Sequence, residues 1–202
     1  INLRPLATFA QKFYGDDPCD AFKPHIIEKN VYDQVDESLA AKMNKAISIL
    51  QFKIEGHRIK NHPEFHLEGR KLLDKIDYEK GTIVVRGETY ELKDKNFPTV
   101  NPEDPYDITP EEKVMSALEA AFLQSEKLQR HIRFLYSHGA MYTISNGNLL
   151  YHGCIPLNED GTFEECVING KTVKGKALMD YLDDQVRKAY FNPVESEEVG
   201  RG

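Results

Sequence analysis

Cysteine is scarce in this chain. Cys19, Cys154 and Cys166 are the three among 202 residues, an odd count without the paired spacing of a zinc site. A disulfide framework is therefore not expected, and a reducing cytoplasm is the setting that suits the count. Long hydrophobic runs are missing as well: no stretch of about 18 apolar residues occurs, so no membrane span is expected. The first residues lack the basic start and apolar core of a signal peptide. Positive charge is in deficit, with 26 Lys and Arg against 33 Asp and Glu, a net charge of -7. Nucleic-acid backbones and anionic membranes select basic surfaces, so neither is an expected partner. A small phosphorylated substrate stays open, because a metal or a local cluster of cations can sit in an acidic protein.

What is present is enough for a folded domain or a large part of one: 40% hydrophobic residues, with 10 Tyr and 10 Phe. Leu3, Leu6, Phe9, Ala10 and Phe13 mark one face of a short helix that should end near Gly15. A longer helix is expected after Asp36. There Leu39, Met43, Ala46, Ile47, Leu50 and Ile54 recur at three- and four-residue steps, with Lys42, Asn44, Lys45 and Ser48 facing water. His57, His62 and His66 follow at spacings of five and four with Pro63 between them, which suits a solvated loop better than a metal site. Thr82–Val85 and Thr89–Leu92 flank Arg86-Gly87-Glu88 and read as a hairpin. Asn96–Pro110 holds four prolines and reads as an extended surface connection.

In the second half, Thr109-Pro110-Glu111-Glu112 is a helix start, with Thr109 as cap and Glu112 completing a capping box. Val114, Met115, Leu118, Ala121 and Phe122 form the buried face, and Glu119 points to water. A further helix after Ser125 places Leu128, Ile132 and Leu135 inward, with Gly139 ending it in a left-handed conformation. Lys127, Arg130, His131 and Arg133 give this helix a basic side that suits a sugar phosphate as well as plain solvent. Asn169-Gly170 joins Glu165–Ile168 to Lys171–Val173. A closing helix from Lys176 to about Tyr190 carries Leu178, Leu182, Val186 and Ala189 on one side, with Asp180, Asp183 and Asp184 as its wet face.

The candidate site residue is His152. Met141–Ile144 and Leu149–Tyr151 flank Asn146-Gly147, whose residues tolerate the positive φ of a two-residue hairpin turn, so His152 falls at the end of the second strand. Gly153 removes a Cβ just beyond the imidazole and Pro156 stops the ladder. Spacing alone leaves two roles open: a ring that packs and hydrogen-bonds, or a metal ligand. Cys154 is nearby, but a thiolate phosphatase needs a Cys-x5-Arg loop, and no arginine occurs between Cys154 and Arg187.

His152-Gly153-Cys154-Ile155-Pro156 resembles the strand-end His-Gly element of the calcineurin-like metallophosphoesterases. Ser137–Tyr142 and Asn148–Gly161 are similar to one branch of them, the class 3 fructose-1,6-bisphosphatases of Firmicutes and some other anaerobic bacteria. Ile1–Ala10, Asn96–Val100, Asp104–Tyr106 and Gly175–Leu178 resemble the same family in order. The resemblance implies His152 as a ligand in a two-metal centre, manganese as the metal, and hydrolysis of the 1-phosphate of fructose 1,6-bisphosphate in gluconeogenesis. The family's other metal elements (Asp-x-His, Gly-Asp-x-x-Asp-Arg, Gly-Asn-His and a later Gly-His) have no match here. After Gly15-Asp16, Cys19 stands where the second aspartate belongs, and Gly56-His57 precedes His152 where the family's Gly-His follows it.

The expectation is therefore an internal segment of a longer phosphatase, inactive alone, with an α+β fold. Residues 1–108 form a mainly helical segment with a small hairpin and a Pro-rich connection. Residues 109–202 form the helix pair, the His-Gly hairpin and the closing helix of a metallophosphoesterase α/β sandwich. Strands without their neighbours should leave apolar surface exposed and favour self-association. The rival reading is a non-catalytic helical and hairpin module, an interaction or cap domain in which His152 only packs. The sequence fixes neither the oligomeric state nor the remaining ligands.

Overall fold

The computed structural model of the chain describes residues 1–25, 36–153 and 155–192. Helices mix with small antiparallel sheets in an α+β arrangement. Two compact units divide the chain, Ile1–Ser125 and Glu126–Gly202. The helix 112–123 belongs to the first of them, whereas the sequence reading grouped it with the second half.

The first unit holds α1 (Arg4–Tyr14), α2 (Glu37–Asn61), the strands β1 (Ile76–Asp77), β2 (Thr82–Val85) and β3 (Glu88–Glu91), and α3 (Glu112–Leu123). Pro5 sits in the first turn of α1, where its missing N–H costs nothing. The Asp36 carboxylate caps α2 by accepting from the amides of Ser38 and Leu39 at 3.0 and 3.1 Å. Leu6, Ala10 and Tyr14 of α1 pack with Ala41, Ala46, Val114 and Leu118, while Phe9 and Phe13 lie partly buried against them. The β2–β3 turn is two residues, Arg86 and Gly87, both at positive φ, one fewer than the sequence suggests.

Several expectations need correction here. Lys42 and Lys45 of α2 are buried rather than wet, as is Lys53, while Ile47 and Ile54 are exposed. The physical cause is a set of oxygen partners that no helical period reveals. Lys42 Nζ donates to the Gly15 carbonyl at 2.8 Å, and Lys45 Nζ bridges Asp17 at 2.5 Å and Asp94 at 2.7 Å. Lys53 Nζ meets both oxygens of Glu111 at 2.9 and 3.0 Å and also donates to the Thr99 carbonyl.

One of these partners, Thr99, belongs to the Pro-rich connection, which is thus no bare surface linker: Thr99, Val100, Pro105 and Tyr106 are buried. Tyr106 lies so close to α2 that a Cβ on Gly56 would fall 2.0 Å from its ring. Thr109 does not cap α3. Its own amide and hydroxyl donate to Asp107 at 3.0 and 2.6 Å, a short 3-10 turn precedes the helix, and Glu112 is exposed. Phe122, expected inward, is exposed too.

The second unit holds α4 (Glu126–His138), the hairpin β4 (Tyr142–Ser145) and β5 (Asn148–Tyr151), the hairpin β6 (Cys166–Ile168) and β7 (Lys171–Val173), and α5 (Gly175–Phe191). Both hairpins turn on Asn-Gly pairs at positive φ, as the sequence predicts. Leu178 of α5 is buried, but Leu182, Val186 and Ala189 are exposed, and so is Leu135 of α4. Gly139 follows α4 without adopting a positive φ.

Candidate functional site

The β4–β5 register pairs Tyr142 with Tyr151, so His152 lies just past the open end of the ladder, opposite the turn, at the level where the chain enters from α4. The side chain of His152 is exposed. Gly153 follows at φ 104, a conformation that L side chains rarely adopt, and it has open space around it. Cys154 lies outside the described residues. Among the described residues no side chain or backbone group hydrogen-bonds His152.

This end of the hairpin is braced by α5. Asp183 accepts from the Met141 amide at 3.1 Å and from Arg187 Nε at 2.7 Å. Asp180 accepts from the Tyr142 hydroxyl at 2.8 Å and from Lys176 Nζ at 2.6 Å. The Lys176 bond, then the Tyr142 bond, lower the pKa of the Asp180 carboxyl. Arg187 also donates to the carbonyls of Tyr136 and Gly139, tying the end of α4 to α5, and Tyr136 stacks on Tyr190 with ring centroids 4.1 Å apart. Asp180 and Asp183 are thus positioning residues for the entrance to β4 rather than a plain wet face. The sequence shows only the half of this within α5, where Lys176–Asp180 and Asp183–Arg187 are both i,i+4 pairs.

The decoys resolve into structure. His57 Nε2 accepts from Asn61 Nδ2 at 3.0 Å on the exposed side of α2, and its neighbour Gly56 serves the approach of Tyr106. His62 pairs with Glu64 at 2.8 Å and stacks on Phe65. Cys19 is buried, and burial first, then the charge of Asp17, pushes its thiol up to about 11, which keeps it from serving as a nucleophile. Asp17, the residue after the near-miss Gly15-Asp16, is committed to Lys45 and Asn96. Lys127, Arg130, His131 and Arg133 are all exposed on α4.

A two-metal centre needs several donors around ions about 3.5 to 4 Å apart. His152 offers an exposed imidazole, which fits a single ligand position. Among the described residues no group of three or more His, Cys, Asp and Glu could hold a metal ion, so these residues do not fit a complete centre by themselves. No described helix is long and apolar enough to cross a membrane.

The family model for Firmicute fructose-1,6-bisphosphatase matches residues 1–201. The chain belongs to that family. It is 54% identical over 192 residues to a class 3 fructose-1,6-bisphosphatase of Clostridium tetani, covering 95% of this chain and 29% of the relative. The Clostridium novyi protein of the same name is 55% identical, again over 95% of this chain and 29% of its own length. That of Alkaliphilus metalliredigens is 54% identical over 203 residues, 98% of this chain and 30% of the relative. The chain therefore spans about 30% of the length of these curated relatives. No solved structure matches.

Proposed function

We propose that this chain works as part of a cytoplasmic fructose-1,6-bisphosphatase that hydrolyses the 1-phosphate of fructose 1,6-bisphosphate, a gluconeogenic step, with manganese as its metal. One observation carries the proposal: identity above 50% across nearly the whole chain to relatives bearing that name. The hairpin and its flanking helices would belong to a metallophosphoesterase sandwich. In support, Tyr142, Ile144, Leu149 and Tyr151 share one face of β4–β5, and the last three are exposed, as expected of a strand pair made to be covered.

Manganese, when bound, polarises phosphoryl oxygens and activates water. His152 would supply one ligand nitrogen, and its imidazole must be neutral to do so. Asp183 and Arg187 hold the backbone at Met141, Asp180 holds Tyr142, and together they fix the strand end from which His152 projects. Holding a ligand's backbone in place is what makes a lone exposed imidazole useful to a metal. The remaining ligands would come from elsewhere in the full-length enzyme.

The test is made on the full-length enzyme. His152→Ala should lower bound manganese and phosphate release together, with the fold unchanged by circular dichroism. Full manganese content in that variant would remove His152 from the ligand set and favour the packing role. A wild-type enzyme that releases no phosphate from fructose 1,6-bisphosphate would overturn the functional reading itself.

A further inference from the structure

One face of α4 is chemically unlike every other helix face of the chain's second unit. Lys127, Arg130, His131, Phe134 and His138 follow at i, i+3, i+4, i+7 and i+11, which places them in a single stripe of a 3.6-residue helix. All five are exposed. Among the described residues Lys127, Arg130 and His131, at the start of the stripe, have no acidic partner. Arg133, off the stripe, is likewise exposed, whereas the described cations beyond α4 are engaged. Lys174 pairs with Glu165, Lys176 with Asp180, Arg187 with Asp183 and Lys188 with Asp184, and Lys171 sits over the ring of Tyr181.

The second half of the stripe is aromatic. Phe134 is 61% exposed and stacks on His138, with centroids 4.5 Å apart and planes inclined by 15°. Such a pair offers a flat apolar platform of the kind that large exposed rings provide at binding surfaces. His138 lies three residues before Met141, and Met141 enters the hairpin at the end where His152 leaves it. From His138 back to His131 the helix rises about 10 Å, on the order of the span of a bisphosphorylated hexose.

We propose that this stripe is the subsite for the non-reacting phosphate of the substrate: Lys127, Arg130 and His131 grip the distal phosphate while the Phe134–His138 platform carries the sugar. The inference rests on the bisphosphatase reading above. Guanidinium and ammonium groups suit phosphate oxygens because their hydrogen bonds are charge-assisted and, for arginine, bidentate. Reaction at the 1-phosphate near His152 then leaves the 6-phosphate over the cations. Arg133 lies off the stripe and takes no part.

The experiment uses the full-length enzyme and its own substrate and products. Lys127→Ala with Arg130→Ala should raise KM for fructose 1,6-bisphosphate and the inhibition constant of fructose 6-phosphate by the same factor, about ten- to hundredfold for lost charge-assisted bonds. The inhibition constant of inorganic phosphate and kcat should stay within about twofold, a change worth less than the 1.4 kcal/mol of a tenfold effect. Arg133→Ala serves as the control on the same helix and should change neither. Phe134→Ala should weaken fructose 6-phosphate while leaving inorganic phosphate untouched. Unchanged KM and unchanged fructose 6-phosphate inhibition in the double variant overturn the proposal, as does an equal loss for inorganic phosphate, which would place the cations at the reacting end. These results presuppose an active wild type; an inactive one overturns both this inference and the reading beneath it.

Discussion

The two units solve the problem of burial in opposite ways. In Ile1–Ser125 the helices close over a shared core, and three lysines are drawn inside it with their oxygen partners, Lys53 at 0% exposure and Glu111 at 1%. In Glu126–Gly202 no described charge is buried, three ion pairs run i,i+4 along α5, and the oils lie outside too: Phe134, Leu135, Ile144, Leu150 and Val167 are all more than half exposed. Val173 and Leu178 are the buried large apolar side chains among its described residues. Part of the exposed apolar surface of the first unit, Ile47, Ile54 and Phe122 among it, lines an open groove between α2 and α3 of about 710 Å³. The first unit is a body with its own interior. The second is secondary structure held by hairpin turns and polar braces, with most of its apolar surface open.

The sharpest way to test this contrast is to attack the interior charges. Lys53→Ala leaves Glu111 buried without its cation and should destabilise the first unit by about 3–5 kcal/mol, read as a lower urea midpoint. Replacing both partners, Lys53→Met with Glu111→Leu, should recover most of that loss, because it is the stranded charge rather than the missing pair that costs. A double variant as unstable as the single one would mean that the Thr99 carbonyl, which Lys53 also serves, dominates the network.

The pair also marks the limit of what sequence patterns show. The start of α2 after Asp36, the two Asn-Gly turns and the extents of α1 and α5 were legible because each rests on local chemistry within a few residues, whereas His57, read as loop, lies inside α2, which runs on to Asn61. Lys45 and Lys53 were not. Their partners lie 28, 49 and 58 residues away, and a lysine on a helix reads as solvent-facing until the distant carboxylate is placed. The linker reading of Asn96–Pro110 failed for the same reason: its prolines announce extended backbone but not that Thr99 and Tyr106 plug the side of α2. At the candidate site the position of His152 was readable from the hairpin. The bracing by Asp180, Asp183 and Arg187 became visible only when α5 came beside β4.

Acid should separate the units by a smaller amount. Burial alone would raise the Asp17 carboxyl, but bonds from Lys45, the Cys19 amide and Asn96 outweigh it and bring the pKa down to about 2. An unfolded aspartate titrates near 3.9, so the folded-state pKa is depressed. The stabilisation is complete above about pH 4 and is lost as pH falls through about 2. Asp17→Asn should therefore cost about 1–3 kcal/mol at neutral pH and progressively less on acidification through that window. A cost that stays constant down to pH 2 would assign the effect to shape rather than charge. The second unit has no described carboxylate buried in this way, so its melting should not share that particular dependence.

The smallest effect is the most telling about the second unit. Ile144→Thr and Val167→Thr keep a β-branched side chain on β4 and β6, at positions that are 65% and 71% exposed. In this chain each should change stability by no more than about 0.5 kcal/mol while reducing self-association in sedimentation, since exposed apolar strands are what adheres. In the full-length enzyme the same substitutions should cost about 1–3 kcal/mol, because there the added hydroxyl would enter a covered, apolar environment. The difference between the two backgrounds measures the covering directly. If both backgrounds gave the same small value, these faces would be open to solvent in the whole enzyme, and the second unit would have to be regarded as a surface module rather than as one half of a shared core.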